Sequence, residues 1–246
     1  MPTWRPAPSS ASRRVGNPRR FVSASADGTL RLWDMSLSRP NLRSYTLSRS
    51  GGSEQGSLPV TVSFPNAVDA SFHTFFLAGF SGGEVCRFDV ATGDATVYTA
   101  HGGGSGGGVT GMCAVPLGGT CVFASHADGS LSLFDVGRTP PAAAATVLAH
   151  GEGCSSAAVA PNGLQVATGS PSGWVRLWDA RQLGAHLSEA PMHDPRAGEG
   201  VLQLAFAPPL GPTGKPGAAA APGSQSLPIL ASAGADGVVQ LLALPG

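Results

Sequence analysis

Residues 23–34 read SASADGTLRLWD, and variants of this phrase recur four more times along the 246-residue chain. The variants are AGFSGGEVCRFD at 78–89, ASHADGSLSLFD at 124–135, ATGSPSGWVRLWD at 167–179 and ASAGADGVVQLLA at 231–243. Two of the four spacings lie near the ~40–45 residues at which four-stranded repeat units recur, and loop insertions account for the longer two. Internal repetition of this length predicts an array of similar structural units.

Each phrase predicts two antiparallel strands joined by a tight turn. In the first copy, Leu30 and Leu32 alternate with polar residues directly after the dipeptide Asp27-Gly28. Asp-Gly between alternating runs is a strong hairpin signal, because glycine adopts positive φ without a Cβ clash. The dipeptide returns at Asp128-Gly129 and Asp236-Gly237, so at least three of the phrases carry the same turn chemistry.

Further strand candidates lie between the phrases, at 95–99, 109–115, 146–149 and 201–207. Four short strands per unit, without a helical period, predict an all-β fold: a β-propeller with four-stranded antiparallel blades. Two segments rich in Gly, Pro, Ser or Ala, 49–57 and 208–226, are interpreted as loop insertions.

Two phrases end in Trp-Asp, at Trp33 and Trp178, and two Ala-His pairs precede a following strand. These features resemble the WD-repeat family, in which a His, an Asp, a Ser or Thr and the Trp form a buried hydrogen-bonded set within one blade. No unit carries the whole set. The unit with Asp128 has Phe134 at the Trp position, and the unit with Trp178 has Ser172 at the Asp position. The resemblance implies structural hydrogen bonding by Asp27, Trp33, His101, Asp128, His150, Trp178, His193 and Asp236.

A narrower resemblance covers residues 21–244 and is to the C-terminal propeller of the striatin family. It rests on the order and spacing of the repeated phrases and of the segments SLPVTVSF (57–64), AHGEGCSSAAVAPNGLQVATGS (149–170) and HDPRAGEGVLQLAF (193–206). It implies the last four to five blades of a probable seven. Seven blades need roughly 300 residues, so we expect an incomplete propeller whose open sheet edges favour aggregation.

Residues 1–20 differ in composition from the rest of the chain. Arg, Pro and Ser dominate there and no acidic residue occurs. We interpret this segment as a disordered linker, with an organellar transit peptide as the alternative. The predicted domain organisation is therefore a disordered segment, 1–20, followed by the propeller portion, 21–244.

Composition excludes several other functions. The formal net charge is zero, so no overall field favours nucleic acid, and no apolar run approaches the ~20 residues that span a bilayer. The four cysteines lack a CxxC pair, which favours buried thiols in a reducing compartment and a cytoplasmic location. Histidines and carboxylates lack metal-ligand spacing, so we expect no metal and no cofactor.

The run HGGGSGGG at 101–108 matches the glycine pattern of a nucleophile elbow around Ser105. That motif needs a strand before it and a helix after it, whereas a strand candidate follows here. We interpret the run as a connection between blades and expect no catalytic residue.

The leading hypothesis is a non-catalytic protein-interaction scaffold. The striatin resemblance implies a complex that joins the type 2A protein phosphatase with Ste20-type kinases and Mob-like proteins. No heptad pattern corresponds to the striatin coiled coil, so we do not expect these residues alone to bind the phosphatase. The alternatives are an adaptor of another complex, in ubiquitin ligase substrate recognition or vesicle transport, and, more remotely, a propeller enzyme. Predicted partner-binding residues on the turn face are Phe80, Ser81, His126, Pro171, Trp174 and Arg196.

Overall fold

In the computed structural model, the described residues form eighteen β-strands and one 3-10 turn. The described residues are 20–39, 41–47, 57–64, 74–100, 107–116, 120–138, 141–198, 200–207 and 228–244. The predicted insertions therefore lie almost wholly outside the described residues, as do residues 1–19 and most of the glycine run.

The strands form five antiparallel sheets in chain order, here called blades 1 to 5. Blade 1 contains β1 (Arg20–Ala24), β2 (Thr29–Asp34) and β3 (Asn41–Thr46). Blade 2 contains β4 (Pro59–Ser63), β5 (Phe75–Phe80), β6 (Val85–Asp89) and β7 (Ala95–Tyr98). Blade 3 contains β8 (Val109–Ala114), β9 (Cys121–His126), β10 (Ser130–Asp135) and β11 (Ala143–Leu148).

Blade 4 contains β12 (Ser156–Val159), β13 (Gln165–Gly169), β14 (Trp174–Asp179) and β15 (Gln182–Pro191). Blade 5 contains β16 (Val201–Phe206), β17 (Ile229–Gly234) and β18 (Val239–Ala243). The 3-10 turn, Pro195–Ala197, lies between these two blades. Within each sheet neighbouring strands are also neighbours in the chain, as expected of a propeller blade.

The inner strands pack in succession: β4 contacts β8, β8 contacts β12, and β12 contacts β16, while β1 packs on β4. Among the described strands no comparable packing joins β16 to β1. The sheets therefore form an arc, and the predicted fold, an incomplete all-β propeller with four-stranded antiparallel blades, is confirmed.

The hydrophobic core lies between the blades as four successive clusters. One cluster joins blades 1 and 2 around Phe76 and Phe88, whose rings stack with their centroids 5.2 Å apart. Another joins blades 3 and 4 around Phe123 and Trp178. Strands between two neighbours are buried on both faces, which explains near-continuous apolar runs such as FFLAGF in β5.

The first described strand begins at Arg20, the last residue of the segment that we expected to be disordered. Its Nε donates to the Asp34 carboxylate at 2.8 Å across the β1–β2 pair. The carboxylate side chain is only 3% exposed, so the ion pair fixes the start of the strand. The predicted boundary is corrected by this one residue.

Candidate interaction surface

The Asp-Gly turns have the geometry predicted from the sequence. Gly28, Gly129 and Gly237 adopt φ values of 82°, 88° and 77°. In each turn the aspartate accepts a hydrogen bond from the backbone nitrogen two residues later, at 2.9–3.0 Å. This side-chain bond explains why Asp precedes Gly at these positions.

The turns of blades 2 to 5 are also held by the loops that enter the inner strands. His150 N donates to Gly129 O at 3.0 Å, and His193 N donates to Gly173 O at 3.2 Å, so two turns bind the loop that leads to the next blade. Within blades 3 and 5, Ala127 N and Ala235 N donate to the loop before their own inner strand, each at 2.9 Å. Turns and entry loops thus form one continuous edge of the arc, here called the turn rim.

A buried hydrogen-bonded set supports the rim in blade 4. Trp178 Nε1 donates to Thr168 Oγ1 at 2.9 Å, and the same hydroxyl lies 2.9 Å from His150 Nε2. Which of the two atoms donates in the second bond is set by the histidine tautomer. Burial, followed by the nearby Arg176 charge, lowers the pKa of His150 to about 4, so the ring is neutral at neutral pH.

Blade 5 holds a set of different composition. His193 Nδ1 lies 3.0 Å from Asp236 Oδ1, and its Nε2 lies 2.8 Å from Ser232 Oγ. The pKa of Asp236 is lowered, mainly by the backbone bond from Val238 and further by the bond to His193. The Trp position is Leu242, so this set has His, Asp and Ser, whereas that of blade 4 has His, Thr and Trp.

The remaining predicted structural residues make local contacts. Trp33 Nε1 donates to Ser23 Oγ at 2.8 Å. Asp27 accepts from the Thr29 hydroxyl and from Arg31, whereas Asp128 accepts from the Ser130 hydroxyl. His101 lies outside the described residues.

Two of the predicted partner-binding residues are buried, and the prediction is corrected for them. Phe80 is 0% exposed and faces blade 1, with its ring near Phe88, because β5 is covered on both sides. His126 is 1% exposed, with Nδ1 3.3 Å from Gly107 O. Neither side chain offers contact surface.

The other four predicted residues lie on or beside the turn rim. Ser81 and Arg196 are exposed, and Pro171 is half-buried. Trp174 is 38% exposed, although it begins a strand and is bulky. These side chains are accessible to a partner.

A cleft beside Trp174 was not found from the sequence. It has a volume of about 200 Å³ and is lined by His150, Gly151, Glu152, Ser172, Trp174, Arg176 and Glu189. Arg176 Nε donates to Glu189 Oε2 at 2.9 Å, and its Nη1 donates to Ala149 O at 2.6 Å. Trp174 and Arg176 are two residues apart in β14 and therefore lie on the same face of the strand. This spacing was the signal of the cleft that the sequence offered. Glu189 joins them only through the pairing of β14 with β15.

Two features are absent from the part of the chain that the structure describes: a metal-ligand cluster and a long apolar helix. No group of three or more His, Cys, Asp or Glu side chains is placed to hold an ion there. Likewise, none of the described segments forms a helix with the length and apolar character needed to cross a bilayer. Burial raises the pKa of the Cys86 and Cys154 thiols to about 12, so both thiols are protonated at neutral pH.

Comparison with known families and proteins agrees with the geometry. The model of the WD domain, G-beta repeat, matches residues 15–34 and 144–179. Striatin-4 of Mus musculus is 29% identical over 161 residues, which cover 65% of this chain and 20% of the relative. Striatin-3 of Rattus norvegicus is 25% identical over 200 residues, 78% of this chain and 23% of the relative.

Human striatin is 27% identical over 199 residues, which cover 77% of this chain and 23% of that protein. The chain thus spans about a fifth to a quarter of the length of these curated relatives. The alignment covers most of the described blades, and the family model matches strands of blades 1, 3 and 4. The chain carries WD repeats, folds as a partial β-propeller and resembles the C-terminal propeller of the striatins.

Proposed function

We propose that this chain is a non-catalytic protein-interaction scaffold. The observation that carries the proposal is the turn rim, where the turns and loops of blades 3, 4 and 5 meet and are joined by backbone hydrogen bonds. A rigid rim that presents an exposed aromatic and charged side chains loses little conformational entropy when a partner binds. WD repeats and distant similarity to the striatins support the same function.

Within this proposal the described residues have two roles. The structural role belongs to the sets around His150 and Trp178 in blade 4 and around His193 and Asp236 in blade 5, which fix the loops between blades. Partner contact belongs to Ser81, Pro171, Trp174 and Arg196. Trp and Arg are over-represented among the residues that dominate binding energy, so Trp174 and Arg196 are the main candidates.

The finer proposal is participation in a striatin-type complex. Such a complex would bring the type 2A protein phosphatase together with Ste20-type kinases and Mob-like proteins, and the similarity of the propeller portion supports it. We place this scaffold in the cytoplasm. It would act without a cofactor, by holding proteins near one another and thereby raising their effective concentration.

Affinity capture of the tagged chain from cells, followed by quantitative identification of the bound proteins, tests this function. The expected result is enrichment of kinase and Mob-like components over a tag-only control. The double variant Trp174→Ala, Arg196→Ala should reduce that enrichment, whereas Arg181→Ala, at an exposed turn after β14, should not. Recovery of no protein above background would contradict a scaffold, and recovery of an unrelated complex would favour the WD-repeat adaptor.

A further inference from the structure

The cleft beside Trp174 is too small for a cofactor-sized ligand. Its volume of about 200 Å³ lies below the roughly 300–1,000 Å³ of pockets that hold small molecules. It opens between the loop that carries His150 and the strands β14 and β15, next to the turn rim. A single long side chain from a bound protein matches this size.

Charge selects the kind of side chain. The positive charge of Arg176 is paired with Glu189, and a second donor of the guanidinium is bonded to Ala149 O. His150 is 4% exposed and burial lowers its pKa to about 4, so it contributes no charge at neutral pH. Glu152 is exposed, and no ion pair to it is found among the described residues. The lining therefore has a net charge of about −1 at neutral pH, which favours a cation.

Trp174 provides a second feature that favours a cation. In the other blades the residue after the turn glycine is Thr29, Glu84, Ser130 or Val238, so an aromatic side chain occurs only here. Its backbone nitrogen donates to Ser170 Oγ at 3.2 Å, and Pro191 pairs with it across β15, so the position of the residue is fixed. The face of an indole ring attracts ammonium and guanidinium groups, more strongly than other aromatic rings do.

We infer that this cleft binds one cationic side chain, arginine in preference to lysine, of a partner protein, with Trp174 supplying the aromatic face and Glu152 the counter-charge. Arginine is preferred because its planar guanidinium is more weakly hydrated than an ammonium and stacks on aromatic rings. The inference rests on the proposed scaffold function and names the chemistry of one contact that the scaffold makes.

Nuclear magnetic resonance with small probes tests the cleft without a known partner. The purified chain is titrated with N-acetyl-arginine N-methylamide, and in parallel with the lysine and glutamate analogues. The amide signals of Gly151 and Ser172 and the indole signal of Trp174 should shift and saturate in the millimolar range with arginine. The lysine analogue should bind more weakly, and the glutamate analogue should leave these signals in place. High salt should weaken the arginine response.

Variants separate the two contributions. Glu152→Gln should weaken arginine binding about two- to fivefold, the range for an exposed ion pair. Trp174→Leu should weaken it about five- to thirtyfold through the lost aromatic face. Asp94→Asn, at an exposed turn outside the cleft, is the matched charge control and should change nothing. Each variant is first checked for an otherwise unchanged amide spectrum.

The inference is overturned if the cleft signals do not shift, if the glutamate analogue shifts them equally, or if correctly folded Glu152→Gln and Trp174→Leu chains bind arginine as the parent does. The capture experiment tests the scaffold function independently of the cleft. If the chain captures partners but does not bind arginine in the titration, the cleft contact is wrong and the scaffold function still holds.

Discussion

The indole nitrogen of Trp178 and the histidine ring of His150 meet on one hydroxyl, that of Thr168, each at 2.9 Å. All three side chains are buried, at 3%, 4% and 0% exposure. The hydroxyl therefore links strand β14 to the loop that enters blade 4 and is shielded from bulk solvent.

Thr168→Val should destabilise the protein strongly. Valine has nearly the same shape but leaves the indole nitrogen and the imidazole nitrogen without partners, at about 1–3 kcal/mol for each. We expect the free energy of unfolding, measured with urea, to fall by about 2–4 kcal/mol. Ser23→Ala removes the analogous bond from Trp33, which is half-buried, and serves as the control with a loss of about 1 kcal/mol. Equal losses in the two variants would contradict a special role for the set in blade 4.

Two turn glycines with the same backbone should respond differently to alanine. Gly173 and Gly237 have φ values of 86° and 77°, so alanine costs about 1–2 kcal/mol at either position through the left-handed backbone. At Gly173 a Cβ would also collide with the carbonyl oxygen of His193, whereas nothing lies near Gly237. Thermal and urea unfolding should therefore show a loss of at least about 3 kcal/mol for Gly173→Ala and only the backbone cost for Gly237→Ala. Similar values for both would show that the turn and the next loop are not in contact.

Stability should decrease on mild acidification because of His150. Its folded pKa of about 4 lies below the ordinary value of 6.5, so the folded state favours the neutral ring. The stability that depends on the neutral ring is fully present above pH 6.5. As the pH falls towards 4, the free energy of unfolding decreases by on the order of 2–3 kcal/mol. His150→Asn should flatten the curve of urea midpoint against pH in this window. Some slope should remain, because burial also lowers the pKa of His126. An unchanged slope in the variant would contradict the neutral, buried histidine.

The cysteines should differ in reactivity. Cys86 and Cys154 are fully buried with pKa values raised to about 12, whereas Cys113 and Cys121 are half-buried. Alkylation with iodoacetamide at pH 8, followed by peptide mass spectrometry, should modify Cys113 and Cys121 first and leave the other two protected until the chain is unfolded in guanidinium. Early modification of Cys154 in the native protein would show that the interface between blades 3 and 4 opens readily.

Local chemistry made the turns and strands predictable from the sequence. Asp27-Gly28 and its repeats form a turn through their own backbone and side chain, so no distant residue is needed. Burial of Phe80 and His126 was not predictable in this way, because it depends on which face the neighbouring blade covers. The cleft was missed for a similar reason: Arg176 and Glu189 are brought together by a strand pair whose register shifts near Trp178.

The same limit applies to the start of the fold. Arg20 reads as part of a segment rich in Arg, Pro and Ser, yet Asp34 holds it in the first strand. Pairing between residues 14 positions apart in the chain is set by the hairpin and not by composition. Composition alone therefore does not give the residue at which this strand begins.

A scaffold must hold two partners at once, and sequential purification measures this directly. The chain, carrying one tag, is co-expressed with a Ste20-type kinase that carries another, and complexes are isolated through the kinase and then through the chain. We predict that Mob-like components remain in the final eluate together with the kinase. A chain that binds the kinase and the other components only in mutually exclusive complexes, or binds none of them, would contradict the proposed function.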